Sequence, residues 1–204
     1  MNDWGAGLKV IKLLIALAVL CPTGLGMYIY LGGYPVGADV PHSGPVYWIL
    51  ATVRDRGIAT QTRDIRAPVD LDNPRRLSDG AGQYATMCSG CHLAPGYESS
   101  ETWKGLYPQP PRLAHGIDLT PAETFWVIKH GLKFSGMPAW GKSHSDDEIW
   151  DVTAFVLNLP HLTPAQYRDM VAHAPPDMDM MRMPMPGGDP TENGSSDKKP
   201  MSMP

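Results

Sequence analysis

The chain has 204 residues, a length that favours one compact domain with additions over several domains. Glycine and proline number 21 each, so turns and irregular segments take a large share and the packed core is smaller than the length suggests. With a formal net charge of −4 and a pI near 5.9, no stretch is basic enough to form a phosphate-binding surface, which excludes nucleic acid as the natural partner.

Near the N-terminus, Lys9 and Lys12 precede an uncharged apolar run from Leu13 to Leu31, 19 residues long. A helix of that length just crosses the roughly 30 Å hydrocarbon core of a bilayer. Asp3 is the one acid before it, so the positive-inside rule places the N-terminus in the cytoplasm. Tyr28, Tyr30 and Tyr34 fall where an aromatic belt is expected on the far side. Residues 1–34 are therefore expected to form a single-pass anchor. A cleaved signal peptide is the alternative, but the run is long for one and lacks a small-x-small cleavage site followed by polar chain. Cys21, between Leu20 and Pro22, reads as a small apolar residue within the membrane. Pro22, Gly24 and Gly26 are places where this helix could kink.

Gly32 to Pro45 is a Gly/Pro-rich connector. Val46 to Ile65 follows as an expected helix, with Val46, Ile49, Leu50 and Val53 at helical spacing and Gly57 weakening its second half. Arg54, Asp55, Arg56, Arg63 and Asp64, with Arg66 just beyond, leave it mildly basic. It reads as a linker helix lying on the membrane surface or on the domain that follows, the alternative being a docking element for a partner subunit. Residues 35–72 make up this connector.

From Asn73 onward the helix starts are explicit. Asn73-Pro74 is an N-cap with proline at the first helical position. Thr120-Pro121-Ala122-Glu123, Ser145-Asp146-Asp147-Glu148 and Thr163-Pro164-Ala165-Gln166 are capping boxes. They predict helices near 74–88, 121–131, 146–158 and 164–172. A Gly- and Pro-rich loop containing Leu106-Tyr107-Pro108-Gln109-Pro110-Pro111 separates the first two, and no strand pattern occurs, so the domain at 73–173 is all-α. The remaining stretch, 174–204, is polar and Pro-rich and is expected to be disordered. It also holds seven of the 12 methionines, Met178, Met180, Met181, Met183, Met185, Met201 and Met203. Thioethers are soft ligands that select Cu(I), so a copper-binding or redox-sensing tail is a second reading of the chain beside a merely unstructured end.

The chemistry lies in Cys88-Ser89-Gly90-Cys91-His92, the C-x-x-C-H pattern of covalent haem attachment. Two thiols a short turn apart can each add to one vinyl group of the porphyrin, and the next residue brings its imidazole under the iron. A thioredoxin-like pair would need a preceding strand, and a helix pattern precedes the motif. A zinc site would need two more ligands, yet there is no second cysteine pair and no H-x₃₋₅-H. His92 leaves one axial position to fill. Met137, in Lys133-Phe134-Ser135-Gly136-Met137-Pro138, sits between Gly and Pro on a loop and is the best sixth ligand, with His115 and His130 as rivals. Methionine and histidine together raise the reduction potential and leave no open site for oxygen or peroxide. That favours electron transfer over catalysis.

At these residues the sequence resembles the class I c-type cytochromes, and more closely the membrane-anchored monohaem proteins of bacteria. The resemblance runs from about Asn73 to Pro160. It implies an all-α class I cytochrome c fold, preceded here by a single N-terminal transmembrane helix. The family's G-x-x-x-[FY]-x-x-x-C pattern is met by Gly80, Tyr84 and Cys88. By the same resemblance, Gly80 lets the first helix approach a later helix bearing an aromatic residue, a role that fits Trp150. Pro95 would accept the N–H of His92, and Tyr107, Pro110 and Leu113 would line the haem. One haem c, held through Cys88 and Cys91 with iron ligated by His92 and Met137, is the implied cofactor. Because such haem is attached outside the cytoplasmic membrane, the resemblance agrees with the topology read from Lys9 and Lys12. The implied protein is an electron carrier of a respiratory chain, not an enzyme in itself. Its partners would be a terminal oxidase, a quinol-oxidising complex or a periplasmic dehydrogenase in or near the same membrane.

Overall fold

A computed structural model describes residues 3–175; the Met-rich stretch from Met178 to Met203 lies outside them. Among the described residues all regular structure is helical. α1 (Asp3–Tyr30) runs through Pro22 as one helix, and its Gly7–Tyr30 portion is long and apolar enough to cross a membrane, with no side chain there covered by the rest of the protein. α2 (Gly44–Gln61) starts two residues before the expected position and stops at Thr62, whose hydroxyl donates to the Ile58 carbonyl at 2.9 Å. It carries Pro45 in its first turn, where the missing N–H costs nothing.

The compact part is built on the crossing of α3 (Pro74–Gln83) with α7 (Asp146–Asn158). Asn73 caps α3 by accepting from the Arg75 N–H, and Ser145 caps α7 in a full capping box. A Cβ on Gly80 would stand 2.7 Å from the carbonyl carbon of Asp151 and 2.9 Å from Cβ of Phe155, so only glycine lets the two backbones meet this closely. Phe155, fully buried, packs on Tyr84 at 5.5 Å between ring centroids. The aromatic residue at the crossing is thus Phe155, and the expectation for Trp150 is corrected. Trp150 lies on another side of α7, stacked at 4.1 Å on Phe125 of α6 (Pro121–His130). At the solvent edge of the crossing Arg76 bridges Asp151 at 2.6 Å and Asp70 at 3.1 Å. α8 (Pro164–His173) closes the core with Tyr167, whose ring meets both Tyr84 and Phe155.

α3 does not continue to residue 88 as one α-helix. It passes into a single π-turn over Tyr84–Cys88, then a short helix α4 (Ser89–His92). π-turns of this kind sit mostly at functional sites, where they re-aim side chains. α5 (Glu101–Gly105) lies inside the stretch expected to be loop; Ser100 caps it by accepting from the Trp103 N–H. α2 packs against α6 and has Ile58 and Thr62 buried at its end, so the connector helix rests on the compact part.

Candidate haem site

The π-turn and α4 place Cys88, Cys91 and His92 on consecutive turns. Tyr84, one of the largest fully buried side chains, donates its hydroxyl to the Leu93 carbonyl. Leu93 has φ 62 and ends α4 directly after His92. A residue of that size in the left-handed region is strained unless its surroundings hold it, and the Tyr84 bond does so. The tyrosine of the G-x-x-x-Y-x-x-x-C pattern therefore fixes where the chain turns away below the imidazole.

Neither cysteine of the motif is in a disulfide. Burial, and secondarily Cys91, push the Cys88 thiol up to about 12. Among the described residues no cluster of three or more His, Cys, Asp or Glu side chains could hold a metal ion. The motif follows helix α3 and the π-turn, not the strand that a thioredoxin-like pair would need.

His92 is half-buried, and its Nδ1 lies 2.9 Å from the Pro111 carbonyl oxygen. A carbonyl can only accept, so Nδ1 carries the proton and Nε2 is left with its lone pair. Burial lowers the His92 pKa, the Pro111 carbonyl opposing it, and the neutral ring is the form a metal binds. The partner is not Pro95, which is buried in the turn closed by the Tyr97 N–H on the Ala94 carbonyl; the expectation for Pro95 is corrected to Pro111. The physical reason is the loop. Chain leaving His92 turns away from the ring, and a segment nineteen residues later folds back over it. That segment is fastened by Trp103, whose Nε1 donates to the Pro110 carbonyl at 2.8 Å. Arg112 lies 4.6 Å above the Trp103 ring and pairs with Glu98 at 2.8 Å. Trp103, Pro111 and Arg112 were not legible as supporting residues; the one sequence hint is the Ser100 cap that starts α5.

Of the expected haem-lining residues, Leu113 is buried in the same core cluster as Cys88. Pro110 is half-buried and spends its carbonyl on Trp103. Tyr107 faces the connector: its hydroxyl accepts from the His42 N–H at 2.9 Å, and its ring meets His42 edge-on at 5.1 Å.

Met137 is half-buried and packs against that core cluster. Its loop is a closed device. Ser135 donates to the Leu132 carbonyl at 2.7 Å and accepts from the Met137 N–H at 3.2 Å, while the Leu132 N–H reaches the Met137 carbonyl at 3.4 Å. Gly131 starts the loop at φ 64, and a Cβ there would lie 2.7 Å from the carbonyl oxygens of both Met137 and Pro138. Glycine is required twice over, by conformation and by space. Beyond the loop His144, buried at 9% exposure, meets the Trp140 ring edge-on at 5.7 Å and has Nδ1 3.3 Å from the Trp140 carbonyl. The rival histidines are placed differently. His115 is exposed at the end of a 3₁₀ turn, and His130 is exposed with its ring against Trp126 at 4.9 Å.

These residues fit a covalently attached haem: two unpaired thiols, a neutral imidazole with one nitrogen fixed and the other open, and a thioether on a braced loop over the same core.

Residues 75–156 match the family model described as cytochrome c oxidase, cbb3-type, subunit III. No curated protein matches the chain. No solved structure matches it either. The matched segment begins one residue into α3 and ends inside α7, so it spans the helix crossing, the attachment motif and the Met137 loop while leaving α1 and α2 outside. That span, with its all-helical fold, is a c-type cytochrome domain of the class I type, and its cofactor is covalently bound haem c with iron.

Proposed function

We propose that this chain is a membrane-tethered monohaem c-type cytochrome that passes single electrons between redox proteins, its haem domain on the periplasmic side of a bacterial cytoplasmic membrane. Residues 1–34 anchor it, residues 35–72 connect, and residues 73–173 carry the haem. Cys88 and Cys91 would form the thioethers, and His92 and Met137 would ligate the iron. Leu113 and the Pro110–Pro111 segment form the haem wall, and Tyr107 ties that segment to the connector. The bound haem supplies a one-electron change at iron. The residues supply the rest: Pro111 fixes the imidazole, Gly131 and Ser135 brace the methionine, and the buried cluster around Cys88 and Leu113 excludes water.

One observation carries the reading. His92 presents a free Nε2 beside two unpaired thiols, its other nitrogen being held by Pro111 at 2.9 Å. With the Met137 thioether as the second protein ligand, the iron would offer small oxidants no open site, which favours a carrier over an oxygen- or peroxide-using enzyme. The uncovered apolar surface of Gly7–Tyr30 supports the tether. Lys9 and Lys12 before the apolar stretch support the orientation. The description of the matched family supports a membrane oxidase complex as the partner, with a quinol-oxidising complex or a periplasmic dehydrogenase as other sources of electrons. A tether confines the search to partners in the same membrane and raises their effective concentration.

The test is to express the full chain in a host that matures c-type cytochromes and purify it from membranes. The expected protein needs detergent for release, titrates as one one-electron centre, keeps a far-red sulfur-to-iron band when oxidised and ignores CO when reduced. Release by washing would overturn the tether, and ready CO binding would overturn the carrier.

A further inference from the structure

α2 is apolar on two sides, and the protein covers only one of them. Ile58 and Thr62 are buried where the helix end packs on α6. On the opposite side Ile49 is 52% and Val53 65% exposed, while Trp48, 67% exposed, lies only about 60° round the helix from the buried stripe. A helix between water and a core normally keeps its outer face polar. The connector shows what lies near this face. Tyr28 donates its hydroxyl to the Gly33 carbonyl just past the end of α1. Tyr34 and His42 meet at 2.7 Å with their rings stacked, which closes the residues between them into a loop. Extended, the thirteen residues 31–43 could reach about 45 Å, and the closure leaves only about 20 Å of free reach before α2 begins. α2 is therefore kept close to the end of the apolar helix. The helix and its exit carry Arg54, Arg56, Arg63 and Arg66 against Asp55 and Asp64, an excess of two positive charges. Indole rings prefer the boundary between hydrocarbon and water, and arginine heads suit anionic lipid phosphates.

We propose that the Ile49–Val53 face of α2 seats in the headgroup region of an anionic bilayer, with Trp48 at its flank, so that α2 is an interfacial helix with lipid on one side and the haem domain on the other. This rests on the membrane reading of α1. Because α2 packs on α6, and α6 leads through Gly131 into the Met137 loop, such seating sets the height and tilt of the haem domain above the membrane. A protein partner on this face is the competing occupant.

The experiment uses the full haem-loaded chain in nanodiscs of mixed zwitterionic and anionic phospholipid, with no other protein present. A photo-crosslinking residue (benzoylphenylalanine) replaces Val53 in one sample, Leu13 in a second and the exposed Asp118 in a third. Lipid adducts on the digested peptides are read by mass spectrometry. The expected adduct yield at position 53 approaches that at 13 and exceeds that at 118 by on the order of tenfold. Adducts at 13 with only the background of 118 at position 53 would overturn the interfacial helix and leave the anchor standing. Background at both 13 and 53 would remove the anchor reading, and the proposal with it.

Discussion

The carbonyl oxygen of Pro111 lies 2.9 Å from Nδ1 of His92, nineteen residues before it in the chain. That bond fixes the tautomer of the imidazole, and a metal-bound histidine anchored this way would gain basicity and lose rotational freedom. The carbonyl cannot be removed by substitution, but its support can. Trp103→Phe deletes the N–H that holds the neighbouring Pro110 carbonyl at 2.8 Å. The expected result is a loss of about 1 kcal/mol in stability and a shifted midpoint potential. The far-red band should stay, since Met137 is untouched. Chemical denaturation and a potentiometric titration check this.

The sixth-ligand assignment separates two substitutions. Met137→Ala should open the iron to CO and abolish the far-red band, with the potential falling by on the order of 0.1 V out of the about 0.8 V that axial ligands span. Gly131→Ala should weaken the same band without deleting the ligand, because its Cβ would press on the carbonyls of Met137 and Pro138 at 2.7 Å. If Gly131→Ala left band and CO behaviour unchanged, the loop would not be what holds the thioether.

Two glycines in helices should respond with opposite signs. Gly80→Ala forces a methyl against the Asp151 backbone and Phe155, neither of which can yield cheaply. It should cost about 1–3 kcal/mol, or roughly 4–8 °C of Tm per kcal/mol. Gly57→Ala in α2 meets nothing within 4 Å and should stabilise by about 0.5–1 kcal/mol through helix propensity. Thermal melts followed by circular dichroism read both.

Much of this architecture was legible because its signals are local. The capping boxes at Thr120, Ser145 and Thr163 each close over three residues, and all three are made. C-x-x-C-H is likewise a local statement, and Gly80 declared a close approach. What escaped depends on contacts distant in sequence. Nothing local distinguishes Pro95 from Pro111 as the histidine's partner; the choice is made by a loop that Trp103 and Arg112 fasten. Trp150 and Phe155 are both aromatic and lie on one helix, five positions and so about 140° apart. Only the packing shows that Phe155 faces Gly80 while Trp150 faces Phe125. The first helix was expected to reach residue 88, but its last turn is a π-turn over Tyr84–Cys88, which no local signal announces. The bond between the Tyr107 hydroxyl and the His42 N–H, sixty-five residues away, likewise had no local signal.

The ion pair at the helix crossing predicts a small pH effect. Burial raises the Asp151 pKa above the ordinary carboxylate value, with Arg76 opposing. A raised folded-state pKa means the folded protein holds this proton more tightly than the unfolded chain. Stability from this group is therefore present below the ordinary carboxylate pKa and declines as pH rises through the raised value. Asp151→Asn keeps an acceptor for Arg76 and should flatten that part of the stability–pH curve. Denaturant midpoints measured from pH 3 to 7, about the carboxylate range, decide it.

The most direct test of the whole account is the mass of the peptide spanning Cys88 to His92. It should come from full chain matured where c-type haem is attached, and be digested without reduction. The account predicts that this peptide carries one covalent haem, and that Cys88→Ala with Cys91→Ala abolishes the added mass. Recovery of the wild-type peptide at its unmodified mass, or with Cys88 and Cys91 joined as a disulfide, would contradict it.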